Sequence, residues 1–258
     1  MKIAVIDFDG TLFKKKGGGI SIQDTLAIHK WQMHGGKFII ATGRCLSILK
    51  QDIDYDVLMP DCYICSNGAT VFNNNFNLIF KKYINYNIVQ AILDDKFLNK
   101  CDYIVAFCPL DTVLHIRNKR AKIALWGKIL CNYSIDALRS LTCISQMLLG
   151  IGDINKAKNT FGLILECFGK EVNCKLNRYG IEVLPLCTNK VTGIEMMNKY
   201  MGWHDPIVYA IGNGGNDIEM IERFSGFSIE EGDDDLKKKA VGVCSSVGEL
   251  LLSKLHDK

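Results

Sequence analysis

The chain has 258 residues, enough for one large domain or two modest ones. Charged residues make up 23% of it and hydrophobic ones 48%, the proportions of an ordinary globular protein, so disordered, collagen-like and coiled-coil classes are excluded. A formal charge of +3 is too small for a protein that tracks a phosphate backbone, and no nucleic-acid partner is expected.

Lys2 to Ile6 reads as a short apolar strand, stopped by Asp7-Phe8-Asp9-Gly10. The run before Asp7 is shorter than the about 7 to 15 residues of a secretory segment, and nowhere do about 18 apolar residues follow one another. The eleven cysteines are odd in number and scattered, which suits reduced thiols. The expectation is a cytoplasmic chain with no membrane partner. Cys62-Tyr63-Ile64-Cys65 lacks the second ligand pair that zinc needs and the following helix that redox chemistry needs, so it reads as part of a buried strand.

After a Gly-rich loop, Ser21 can cap a helix that runs to about Met33. Phe38 to Ala41 is a second strand, breaking at Thr42-Gly43-Arg44, and Tyr63 to Ser66 a third, breaking at Asn67-Gly68. This is the alternation of a parallel sheet with helices on its faces. Asn73-Asn74-Asn75 then joins Ala69–Phe72 to Leu78–Lys82 as a hairpin, and a different texture begins. Ile88, Ile92 and Leu93 suggest a helix, Tyr103–Phe107 and Thr112–Ile116 paired strands, Ile123–Ile129 an ambiguous apolar run, and Met147–Ile151 another strand. Ile154, Ala157, Phe161, Ile164 and Phe168 recur at helical spacing. Val172–Leu176 and Ile181–Leu184 close this α+β module as strands. The first rhythm returns with a helix over Val191–Met201, a strand over Ile207–Ile211, a break at Gly212-Asn213-Gly214-Gly215 and a helix from about Asn216 to Phe224.

The chemistry-bearing residues lie at breaks just past strand ends, the edge where open α/β sheets bind ligands. Asp7 and Asp9 can face one crevice if extended backbone persists through Phe8. Two crowded carboxylates repel unless a cation joins them, and magnesium is the natural one beside phosphate. That pair suits phosphoryl transfer: one carboxylate attacks phosphorus, the other protonates the leaving oxygen and later deprotonates water. Thr42, the N–H groups around Gly43 at an expected helix start, and Lys190 can bind phosphoryl oxygens, and Asn216 and Asp217 can complete a metal shell. Each alone has an ordinary structural reading as a turn, a surface lysine or a helix cap.

In order, however, Asp7-Phe8-Asp9-Gly10-Thr11, Ala41-Thr42-Gly43-Arg44, Lys190 and Gly212-Asn213-Gly214-Gly215-Asn216-Asp217 resemble the four motifs of the haloacid dehalogenase (HAD) superfamily of phosphohydrolases. Ser66-Asn67-Gly68-Ala69 and Met201-Gly202 resemble its Cof-like branch. The resemblance implies a doubly wound, mainly parallel Rossmann-like core sheet over 1–81 and 182–258, with an inserted α+β cap over 82–181 that closes over the crevice. It implies Asp7 as nucleophile and metal ligand, Asp9 as general acid/base whose carbonyl reaches the metal, Thr42 and Lys190 as phosphoryl binders, and Mg2+ held by Asp7, Asp9, Asn213 and Asp217. Gly10, Gly43, Arg44, Asn67, Arg178 and Asn216 are candidate substrate contacts. Three positions depart from the family pattern: Asn213 stands for an Asp, Val191 follows Lys190 in place of Gly, and Glu231-Gly232 stands for Asn-Ala. An amide at 213 brings no charge to a hard cation, and Glu231 restores it if its side chain reaches the crevice. Lys14 to Lys16 can draw in anionic substrates or be solvated loop charge.

The expected activity is magnesium-dependent hydrolysis of a small phosphorylated metabolite, sugar phosphates foremost, by a monomer or weak homodimer. Two alternatives stay open: a binding or regulatory module that has lost efficient turnover, for which Asn213 is the support, and a phosphomutase-type transferase.

Overall fold

Apolar runs bracketed by Gly and Asp become the central strands. The computed structural model describes residues 1–14, 19–118, 131–177 and 180–256. The ambiguous run at 123–129, Lys15, Lys16 and Arg178 lie outside the described residues.

β1 (Lys2–Asp7) is buried from Ile3 onward. A two-stranded ribbon, β2 (Phe13–Lys14) and β3 (Gly19–Ile20), follows its turn. Then comes α1 (Ile22–Met33), whose cap Ser21 accepts the Asp24 N–H. β4 (Lys37–Ala41), the short α2 (Leu46–Leu49), β5 (Cys62–Cys65), β6 (Thr70–Asn73) and β7 (Leu78–Lys81) come next. The middle of the chain forms α3 (Tyr86–Ile92), α4 (Asp95–Leu98), β8 (Tyr103–Phe107), β9 (Thr112–Ile116), α5 (Ile135–Arg139), β10 (Gln146–Gly150), α6 (Ile154–Phe168), β11 (Val172–Asn177) and β12 (Gly180–Pro185). The last part forms α7 (Lys190–Met201), β13 (Ile207–Gly212), α8 (Ile218–Arg223), β14 (Phe227–Ile229), α9 (Asp234–Lys237), β15 (Gly242–Cys244) and α10 (Val247–Lys254).

The larger sheet has the order β15-β14-β13-β1-β4-β5-β6-β7, parallel from β15 to β5, with β6 antiparallel to β5. From β1 the chain winds outward through β4 and β5, and from β13 it winds the other way through β14 and β15. The switch between β1 and β13 opens a crevice at their carboxyl ends, which is where doubly wound sheets bind ligands. Alternating side chains serve both faces. Ile3, Val5, Ile39 and Ile64 pack with Ile194 and Met197 of α7 and Met220 and Ile221 of α8. On the other face Trp31 of α1 meets Tyr209 edge-on at 5.7 Å and donates Nε1–H to the Lys37 carbonyl at 2.9 Å. Asp24 ties α1 to α10 by accepting the Gly248 N–H at 2.7 Å.

The five-stranded sheet β11-β12-β10-β8-β9 is antiparallel and belongs to a second unit. Ile104, Ala106, Met147, Leu149, Ile181 and Val183 face Ile88 and Ile92 of α3 and Ala157 and Ile164 of α6. The opposite face packs Tyr103, Val105, Phe107 and Leu148 with Cys45 and Ile48. The first unit comprises Met1–Gly43, Asp52–Phe80 and Asn189–Lys258, the second Arg44–Gln51 and Lys81–Thr188. The chain re-enters the first unit at Asn189 and not near 182, because β12 pairs with β11 throughout its length and with β10 over Gly180 to Val183. Residues 44–51 join the second unit through the packing of Ile48.

Among the described residues no helix is long and apolar enough to cross a membrane. All eleven cysteines are free thiols. Cys62 and Cys65 are buried in β5, and burial pushes the Cys62 thiol up to about 12, which makes it inert.

Candidate active site

Strand conformation ends at Asp7 and does not persist through Phe8; the chain turns there. The Phe13 N–H donates to the Phe8 carbonyl at 2.8 Å, the Gly10 N–H donates to the Phe13 carbonyl at 3.0 Å, and Asp9 bridges Phe13. Gly10 has φ +86°, and a Cβ there would collide with the Asn213 amide, so this turn needs glycine twice over. Asp9 remains close enough that its charge raises Asp7.

Asp7 is buried at the end of the central strand. Its Oδ2 accepts the Thr11 hydroxyl at 3.0 Å and its Oδ1 accepts Lys190 Nζ at 2.5 Å. Lys190 opens α7 behind the capping box of Asn189 and Thr192, and its ammonium also donates to Asp217 Oδ1 at 2.6 Å. Asp217 Oδ2 accepts the N–H groups of Asn213 at 3.0 Å and Gly214 at 3.1 Å, which closes the loop after β13. One buried cation thus serves two buried carboxylates. Burial and the charge of Asp217 push Asp7 up to about 7 against the pull of Lys190, while the two carboxylates raise Lys190 above its ordinary value despite its burial.

The breaks after β4 and β5 meet beside this cluster. The Thr42 N–H donates to the Ile64 carbonyl at 2.8 Å, and the Asn67 N–H donates to the Thr42 carbonyl at 2.9 Å. Ser66, Asn67 and Gly68 have φ of 49°, 50° and 98°, a left-handed run that holds the Asn67 side chain against Gly43. Asn67 Oδ1 accepts Asn216 Nδ2 at 3.0 Å, linking the loops after β5 and β13. The helix expected at Gly43 starts later, at Leu46.

A family model described as haloacid dehalogenase-like hydrolase matches residues 4–249. The chain belongs to the haloacid dehalogenase-like hydrolases. This hydrolase is 26% identical to 5-amino-6-(5-phospho-D-ribitylamino)uracil phosphatase YwtE of Bacillus subtilis (strain 168), over 96% of its own length and 94% of the relative's. Its fold is that of the Cof-like members. It matches a HAD/COF-like hydrolase from Plasmodium vivax with a TM-score of 0.82 at 20% identity, covering 98% of this chain and 94% of that one. It matches the HAD subclass IIB sugar phosphatase BT4131 with a TM-score of 0.81 at 21% identity, covering 98% and 97%.

The donors of the hydrolase fit a small hard cation. Thr11 has a single hydroxyl proton, yet the oxygens of Asp7 and Asn213 both crowd against that hydroxyl, at 3.0 and 3.3 Å. Oxygens of a carboxylate, an amide and a hydroxyl thus gather at one point, and oxygen is the donor type that magnesium prefers. Asp217 stands differently. Both its oxygens already accept protein donors, it is fully buried, and it holds Lys190 and the loop in place. Arg44 is buried and belongs to the second unit, and Arg178 lies outside the described residues. The sequence reading gave Thr11 no role of its own, although it stands in the first motif. Its signal was the hydroxyl two residues past Asp9.

Proposed function

We propose that this hydrolase is a magnesium-dependent phosphomonoesterase that works through an aspartyl-phosphate on Asp7 and acts on small soluble phosphates, sugar phosphates foremost. The observation that carries the reading is Asp7, buried at the switch point, oriented by Thr11 and Lys190, with Asp9 on the adjoining turn. In the first step an Asp7 oxygen bonds to phosphorus in line as the ester P–O bond breaks, and Asp9 gives its proton to the leaving oxygen. In the second, Asp9 takes a proton from water, whose oxygen attacks phosphorus and returns the Asp7 carboxylate. Lys190 and the Thr42 hydroxyl bind the phosphoryl oxygens. Magnesium, held by Asp7, Asn213 and the Asp9 carbonyl, would supply neutralising charge to the phosphoryl group and keep Asp7 ionised.

Two relatives support the substrate class. The Bacillus subtilis phosphatase is named for a phosphorylated ribityl compound and BT4131 for sugar phosphates. Asn213 favours a second reading, a weakened binding module, since it withdraws one charge from the cation. A screen of phosphorylated metabolites with and without magnesium decides between the two. Magnesium-dependent phosphate release that Asp7→Asn abolishes supports hydrolysis. No release from any ester supports the binding module, and an isomerised product would mark a mutase.

A further inference from the structure

The hydrolytic scheme leaves unused two features that stood out in the sequence, the lysine run after the first motif and Glu231 where the family pattern has Asn. Lys14 Nζ meets Glu231 Oε1 at 2.9 Å, across 217 positions of sequence. Glu231 is therefore directed to a lysine and not to the cation site, and Lys14 is held by a carboxylate.

Each partner is one residue from a segment that contacts catalytic groups. Lys14 follows Phe13, and Phe13 pins the Asp9 turn: its N–H and carbonyl bond Phe8 and Gly10, and its ring stacks on Phe8 with centroids 5.2 Å apart at 16°. Glu231 precedes Gly232, whose N–H donates to the Ile229 carbonyl at 2.9 Å and whose Cα leaves no room for a side chain beside Ser228 and the Asn213 main chain. The next residue, Asp233, donates its N–H to the Asn213 carbonyl at 2.8 Å. The loop after β14 is thus seated on the backbone of Asn213, while the β2–β3 ribbon carries the turn that presents Asp9.

We propose that Lys14 and Glu231 are positioning residues, a charge clasp that fixes the Asp9 turn relative to the Asn213 loop. The proposal rests on the role of Asp9 as general acid/base given above. The ribbon strands are two residues each, too short to hold their own place, so the Lys14–Glu231 tie adds to the turn's own hydrogen bonds in fixing where the turn sits. Lys14 holds the Glu231 carboxyl below the usual carboxylate range, so the pair stays charged through mildly acid conditions. The side chains are 34% and 63% exposed, so added salt weakens the clasp.

The test compares the wild type with Glu231→Gln, Lys14→Met and the exchange Lys14→Glu with Glu231→Lys. Glu231→Gln is the stricter variant, because two further lysines follow Lys14 in the sequence. An exposed pair of this kind is worth about a three- to fivefold change. We expect kcat to fall by that factor with KM unchanged, amide exchange over residues 9–14 to quicken by a similar factor, and the charge exchange to restore both. Lys239→Met, which breaks a remote ion pair with Glu222 (2.8 Å), should change neither. Unchanged exchange and kcat in Glu231→Gln overturns the proposal, as does a charge exchange that restores nothing. A rise in KM alone makes Lys14 a substrate contact and overturns it too. If the wild type hydrolyses no ester, the hydrolytic reading fails, and the exchange measurement alone still decides whether the clasp orders the turn.

Discussion

Lys190→Met removes the ammonium that two buried carboxylates share while keeping the length of the side chain. Nζ lies 2.5 Å from Asp7 and 2.6 Å from Asp217, and Lys190 is 1% exposed. Breaking a buried ion pair at one partner costs about 3–5 kcal/mol, and that is the loss expected at pH 7. Lys190 is raised above its unfolded value, so its own titration adds no pH dependence to the penalty below about pH 10. Asp7 behaves otherwise. Its folded value of about 7 lies above 3.8, so the folded state binds the extra proton and stability from this group falls as pH rises from about 4 to 7. Without Lys190 the folded value climbs further, and the fall continues above pH 7 where the wild type is flat. The penalty should therefore grow by about 1 kcal/mol between pH 7 and 8.5, at most about 1.4 kcal/mol per unit. Urea unfolding in EDTA, followed by tryptophan fluorescence in a Trp126→Phe background, reads Trp31 and Trp203 of the first unit. A loss under about 1 kcal/mol, or one that is constant from pH 6 to 8.5, would refute the shared-cation argument.

Other perturbations test the scaffold and the metal donors separately. Gly68→Ala places a methyl group on the Asn189 carbonyl at a left-handed φ, just before Lys190; it should cost about 2–4 kcal/mol in urea unfolding and lower kcat. Asp24→Ala breaks the tie between α1 and α10, leaving the buried Gly248 N–H without its acceptor. The expected loss is about 2–3 kcal/mol with kcat unchanged, and a variant as stable as the wild type would remove the tie from the account. Asn213→Asp should tighten magnesium binding by about tenfold in calorimetry without substrate.

What the sequence revealed follows from how local each signal is. β1, β4, β5 and β13 are continuous apolar runs cut off by Gly and Asp, so both the strands and the site residues beyond them were legible. α6 was legible because its apolar stripe repeats over fifteen residues. β14 and β15, three residues each, were not, because a short edge strand carries no period and is made by its neighbours' hydrogen bonds. The start of α2 was expected at Gly43 and lies at Leu46 for a related reason: four residues are too few to show a stripe, and the burial of Ile48 comes from the second sheet. At the site, spacing brought Asp7, Asp9, Lys190 and Asn213 together but said nothing of Thr11 bridging two of them, nor of Asp217 spending one oxygen on Lys190 and the other on its own loop. Those depend on rotamers and on which donor a carboxylate finds first. The pairing of Lys14 with Glu231 joins two loops far apart in sequence, and only the fold could disclose it.

Asn213 acquires a physical reason from the same charge count. Asp7 and Asp217 already share Lys190, and burial together with the charge of Asp217 raises Asp7 to about 7 with no metal present. A further carboxylate at 213, beside Asp7, Asp9 and Asp217 and against the Thr11 hydroxyl that Asp7 also uses, would add repulsion in that state. The amide keeps an oxygen for the cation and avoids that repulsion. Asn213→Asp should therefore be less stable than the wild type in EDTA and more stable in saturating magnesium, since a ligand bound more tightly by the folded state stabilises it further. The two stability curves must cross at an intermediate magnesium concentration. If the variant is the more stable at every concentration, repulsion is not what the amide relieves, and Asn213 is then explained only by its contact with Gly10.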